Sequence, residues 1–211
     1  MSDDLLTWTQ QARRELAEDL GDLTARDWRS PSLCQGWDVE HVVAHLTAAA
    51  STTQLAWLRS IILSGFRPAV HNERRLREHL GKNPAETLAR FRAVIAATVA
   101  PSKDLVAYLG EVLVHGEDIR RPLGIPSVGD VDAATQVAEF YASRDFAVNS
   151  RSLASGLHLR ATDGAFEHGS GPEVVGPTLA LVMGMAGRPS YLGQLAGDGV
   201  SVLASRLGEG A

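Results

Sequence analysis

Apolar residues return at helical spacing through most of the first 150 residues, and this period commits that part of the chain to helices before any other feature is considered. From Ser2, the positions Leu5, Trp8, Ala12, Leu16 and Leu20 share one stripe. Ser2 is placed to cap this helix, and Asp3 and Asp4 stand where the helix dipole favours negative charge. Asp38 can cap a second helix, with Val39, Val42, Val43 and Leu46 on one face and the pattern running on through "QLAWLRSIIL" to Gly65. The polar stretch "FRPAVHNERRLREHLGK" reads as a short helix or an ordered loop. In "NPAETLARFRAVIAATV", Asn83 is the cap, Pro84 takes the first helical position and Glu86 completes an arrangement like a capping box. A fourth helix runs from Ser102 to about Arg121, with Leu105, Leu109, Val112 and Ile119 on one stripe and "PLGIP" to stop it. "DVDAATQVAEFYASRDF" supplies a fifth.

The pattern changes near residue 151. "GLHLRATDGAFEH" alternates apolar and polar residues around Asp163-Gly164, a hairpin signal that predicts strands within about residues 156–168. "GPTLALVMGMAGR" then reads as a short helix with Pro177 at its start and Gly187 at its end, and "GDGVSVLASRL" as another. The "GDG" is a turn rather than a nucleotide loop. The expected division is therefore a helical domain over 1–150 and a small α+β region over 151–211.

A formal charge of -5 gives no basic surface for nucleic acid, and no apolar run approaches the length of a membrane span. The N-terminus lacks the pattern of a signal peptide, and the single cysteine, Cys34, has no partner for an internal disulfide. These features predict a cytoplasmic protein.

The chemistry concentrates in two short segments. In "EVLVH", Glu111 and His115 are four residues apart, so their side chains rise from adjacent turns on one helix face. In "GWDVEHVVAHL", His45 flanks the apolar stripe of its helix, whereas His41 lies about 40° further round toward the expected solvent side. A His-Glu-His set from two helices would leave a coordination position open, the arrangement of a catalytic metal site rather than a structural one. Spacing alone leaves the other reading open, in which Glu111 and His115 form an ordinary solvated or hydrogen-bonded pair. Tyr108 and Asp118 share their stripe and could support the ligands from behind. Cys34 has no neighbouring base in sequence and is expected to pack beneath Trp37, with Trp28 and Trp37 both anchoring the core. His71, His79, His158 and His168 have no spacing partner.

"WRSPSLCQGWDVEHVVAHL" and "GEVLVHGEDIRRPLG" resemble the two signature segments of the mycothiol-dependent maleylpyruvate isomerase family, within the wider DinB-like metal-binding four-helix bundles. The C-terminal "VVGPTLALVMGMAGR…LAGDGV" is similar to the ending of its actinobacterial members. The resemblance implies a mainly α fold, a DinB-like four-helix bundle with a small α+β extension. It also implies a divalent metal, zinc above all, held by His45, Glu111 and His115. By the same resemblance, mycothiol is the thiol cosubstrate of an isomerase or S-transferase acting on a small electrophile. A hydrolase that activates water on the same bundle, and a binding protein without turnover, are the alternatives. The tail is expected to be shorter than the sterol-carrier-like C-terminal domain of the isomerase itself.

Overall fold

A computed structural model describes residues 2–51, 76–98, 104–127, 129–146 and 148–209. The chain divides into two compact units, Met1–Val128 and Gly129–Ala211. This division falls earlier than the change of sequence pattern near residue 151, because the helix over 131–143 packs with elements of the tail.

The first unit is helical. Its longer helices among the described residues are α1 (Ser2–Asp19), α2 (Val39–Ser51), α3 (Pro84–Ala93) and α4 (Leu105–Leu123). Helix α4 packs on α1 and α2, and α3 packs on the same two, so the four close into a ring around a common core. Leu16, Val39, Val42, Val43, Phe91, Leu109 and Ile119 fill that core. The expected continuation of the second helix through residues 52–65, and residues 66–75 of the polar stretch, lie outside the described residues.

Local chemistry sets the helix ends. The Asn83 carboxamide accepts the Glu86 N–H, and Pro84 occupies the first turn as expected. Glu86 reaches back one residue further than a capping box requires, to the Lys82 N–H at 2.9 Å. The helix ends at Ala93, short of Val99, where Val94 leaves helical geometry. Pro122 sits inside the last turn of α4, so the helix runs slightly past Arg121. A proline has no N–H to give to the carbonyl four residues back, which is that of Asp118. That carbonyl instead accepts the N–H of Leu33 at 3.0 Å, from the loop before α2.

The second unit contains α5 (Val131–Ser143), α6 (Ser150–Ala154), β1 (His158–Ala161), β2 (Glu167–Gly169), β3 (Glu173–Gly176), α7 (Thr178–Met185) and α8 (Gly199–Glu209). Asp130 caps α5 through the Asp132 and Ala133 N–H groups. The hairpin around Asp163-Gly164 forms β1 and β2 in antiparallel register, Leu159 opposite His168. The strands extend beyond residue 168, however. β3 pairs parallel to β1 on its other edge, giving the order β2-β1-β3. The reversal into β3 uses Gly171 at φ 130°, where a Cβ would stand 2.2 Å from the Gly156 carbonyl oxygen, so only glycine fits. Four residues, "EVVG", are too few for a period to announce such a strand. Among the described residues, no helix is long and apolar enough to cross a membrane.

Candidate metal centre

Asp38 opens α2 as the cap, its carboxylate accepting the His41 N–H at 3.0 Å. The same oxygen takes the His41 ring Nδ1, which holds that imidazole at the start of the helix. One turn further on, His45 faces α4. Its Nε2 lies 2.7 Å from Glu111 Oε1, and its ring centroid lies 5.0 Å from that of His115 in an edge-on arrangement. Ligand atoms of His45, Glu111 and His115 all fall within 4.8 Å of one another. The spacing of four residues on α4 and the apolar stripe of α2 thus bring these side chains together, while His41 is turned aside to Asp38.

The electrostatics favour an ionised carboxylate. Burial pushes the Glu111 carboxyl up, but the hydrogen bond from His45 and the charges of His45, His115 and Arg13 outweigh it and leave the group below its ordinary value. Arg13 is itself buried on α1, with its Nη1 donating to the carbonyls of Ala97 and Val94. Desolvation lowers its guanidinium from the usual value and the Glu111 charge acts the other way.

Asp118 stands behind His115 as the helix spacing suggested. It is fully buried, and its Oδ2 lies 2.9 Å from His115 Nδ1. A carboxylate on one ring nitrogen turns the other toward a ligand role, a recurrent support of metal-binding histidines. Tyr108 is half-buried on the same helix.

Two side chains in the loop before α2 do more than pack. The half-buried Cys34 thiol donates to Asp118 Oδ2 at 3.0 Å and lies 3.4 Å from His115 Nδ1. Trp37 is not the core residue expected. It is half-buried with its ring centroid 5.1 Å from that of His45, whereas Trp28 is buried as expected. Sequence could not bring Cys34 to a base 81 positions away. The tight turn that presents both residues, with the Trp37 N–H on the Cys34 carbonyl and Gly36 at φ 80°, was nevertheless readable in "CQGW".

Residues 9–105 match the family model described as the mycothiol maleylpyruvate isomerase N-terminal domain. That segment is similar to the family's N-terminal domain. The matched segment includes His45 and ends before Glu111 and His115. Two solved structures, of the mycothiol-dependent maleylpyruvate isomerase and of a histidine-to-alanine variant of it, superpose with a TM-score of 0.62 at 17% identity. Both superpositions cover 94% of this chain and 93% of the other, and at that identity they establish a shared fold. The tail is therefore not the shortened one expected, since almost all of the isomerase chain has a counterpart here. No curated protein gives a significant sequence match.

Proposed function

We propose that the protein is an enzyme in which His45, Glu111 and His115 hold a divalent metal, zinc by the character of the donors, and that it uses mycothiol to isomerise or S-transfer a small electrophilic substrate in the cytoplasm. The convergence of two imidazoles and one carboxylate within 4.8 Å carries this reading. Two nitrogens and an oxygen are a donor set suited to zinc, and three protein ligands leave room for an exogenous one. The metal would supply a Lewis acid that keeps a bound thiol in its nucleophilic form at neutral pH.

The protein's own groups do the remainder. Glu111 is held ionised by its cationic neighbours, so it can offer a lone pair without first losing a proton. Asp118 accepts a hydrogen bond from the His115 Nδ1–H and so favours the tautomer in which Nε2 is the basic nitrogen. Trp37 shields one side of His45, while the Glu111 side chain, 28% exposed, leaves the cluster open to a small molecule. With the thiol coming from a cosubstrate, no side chain of this chain has to serve as the nucleophile.

The test is turnover of a panel of small electrophiles by the zinc-loaded protein, with and without mycothiol, alongside Glu111→Gln. Glu111→Gln keeps the size of the side chain and removes its charge, and it should abolish thiol-dependent turnover. Turnover without any thiol would favour the water-activating hydrolase. A metal-loaded, folded protein that turns over nothing would favour the binding module.

A further inference from the structure

The loop between the short helical turn at Asp27–Arg29 and α2 touches both histidines of the candidate centre, and it does so with two different side chains. Its ends are brought together by the bridge between Pro31 and Asp38. Within it, the Ser32 N–H and hydroxyl both bond the Trp37 carbonyl, and the Trp37 N–H returns to Cys34, so the turn is braced by its own backbone. It is pinned to α4 at one residue, Asp118, twice over. The Leu33 N–H takes the Asp118 carbonyl that Pro122 leaves without its helical donor, and the Cys34 thiol takes the Asp118 carboxylate.

We infer that Cys34 and Trp37 are positioning residues for the two imidazole ligands, Cys34 acting on His115 through Asp118 and Trp37 acting on His45 by ring contact. This rests on the metal-binding reading of His45, Glu111 and His115. The carboxylate of Asp118 is fully buried, and one of its oxygens receives both the Cys34 S–H at 3.0 Å and the His115 N–H at 2.9 Å. A buried carboxylate needs such donors, and the geometry of one fixes the angle open to the other. Removing the thiol therefore takes away one of the two donors that set the angle of that oxygen toward the His115 ring. On the other side, the Trp37 ring at 5.1 Å from His45 limits how far that imidazole can swing from Glu111.

Cys34, His115 and Asp118 also form a donor triple of their own, with ligand atoms within 4.8 Å. It shares His115 with the first set. Filling both at once would require that one imidazole give up both ring protons, and the S–H and N–H groups already satisfy Asp118. The positioning role needs no such ionisation.

Cobalt(II) in place of zinc separates these possibilities, because its visible d–d bands report ligand geometry and a sulfur ligand adds a charge-transfer band in the near ultraviolet. Cys34→Val removes the S–H donor at similar size, and Cys34→Ser restores a donor. We expect Cys34→Val to shift the d–d bands and to weaken cobalt binding by about 10–100-fold in chelator competition, the usual range for loss of a ligand's supporting hydrogen bond. Cys34→Ser should recover most of the loss, and Trp37→Leu should broaden the bands with a smaller loss of affinity. Should Cys34→Val fail to fold, Cys34→Ala reads the same loss. Wild-type spectra and affinity in Cys34→Val, or in Cys34→Ala, would overturn the inference, and so would a sulfur charge-transfer band that disappears in Cys34→Ser. Wild-type protein that binds no cobalt would instead remove the metal-binding reading on which the inference stands.

Discussion

The two units fill their interiors with different chemistry. Among the described residues, Arg13, Glu40, Glu117, Asp118 and Arg120 are buried in the first unit, while the buried polar residues of the second are Thr135, Ser150 and Thr178. The second unit is otherwise closed by apolar side chains such as Leu159, Val174, Leu181 and Met183. Burying a charge is expensive unless partners surround it, and the first unit buries five. These groups are tied to partners on another element or one turn away: Glu40 to Arg29 and Thr87, Asp118 to His115 and Cys34, Arg120 to Asp19 and Glu117. The hydroxyl-bearing residues of the second unit do local work, as where Thr178 bonds Asp163 and secures the hairpin turn at the start of α7. The candidate ligands therefore lie in the unit that buries charge, and the other unit is closed by packing.

The strongest way to break this comparison is to cut each unit at its own kind of residue. His45→Ala or His115→Ala should abolish binding of about one divalent ion per chain, since either leaves an incomplete set of three ligands, while His41→Ala should retain it. Leu181→Ala, in the apolar interior of the second unit, should lower unfolding free energy by about 2–5 kcal/mol and leave metal stoichiometry unchanged. Metal analysis and urea unfolding of the four proteins decide the matter. Full occupancy in His45→Ala with loss in His41→Ala would show that the wrong face of α2 has been assigned to the centre.

Much of the first unit was legible because helices advertise their inward faces. Placing His45 nearer the apolar stripe than His41, and Glu111 and His115 one turn apart, needed only the helical period, and the structure brings those three together. The same period says nothing about loops, which is why Cys34 and Trp37 were assigned to packing. A hydrogen bond such as that from Cys34 to Asp118 depends on how α4 lies against the loop, and that follows from tertiary contacts spread over the whole unit. β3 escaped for a related reason, since its parallel pairing with β1 is fixed by the left-handed turn through Gly171 rather than by any alternation of its own.

A smaller effect is expected from a buried charge that serves no ligand. Arg120 is buried at the end of α4, with Nε on Asp19 at 2.7 Å and Nη1 on Glu117 at 3.4 Å, and Glu117 in turn accepts the Ser127 hydroxyl. Arg120→Met keeps the bulk and removes the cation, so the buried Glu117 carboxylate loses its ion pair with Arg120. The cost should be about 3 kcal/mol, the lower end for breaking a buried ion pair, because Asp19 can turn to water. Cobalt spectra should not change. If they did, the ion network at the end of α4 would be part of the metal centre rather than a clamp between α1 and α4.

The smallest effect belongs to a charge the first unit keeps at its surface, and it tests whether burial is what makes the others costly. Glu86 lies in the first turn of α3, where its carboxylate accepts the Lys82 N–H at 2.9 Å and pairs with Arg90 at 2.6 Å. The Lys82 backbone bond, then the Arg90 hydrogen bond and the charges of both residues, hold its carboxyl below the ordinary value against a slight opposing effect of burial. A carboxyl lowered in the folded state contributes stability that is fully present above its ordinary value, near pH 4.5, and is lost as pH falls through the lower folded value. Glu86→Gln retains an acceptor for Lys82 but not the charge. The variant should therefore be slightly less stable than wild type at about pH 7, and the gap should close as pH falls below about 4.5 and through the lowered folded value, where the carboxyl becomes neutral like the amide. Urea midpoints across that range read the difference directly. A gap that stayed constant down to the lowest pH would mean that the carboxyl acts at the helix start through its shape alone, and a gap as large as that of Arg120→Met would mean that exposure does not discount a charge in this unit.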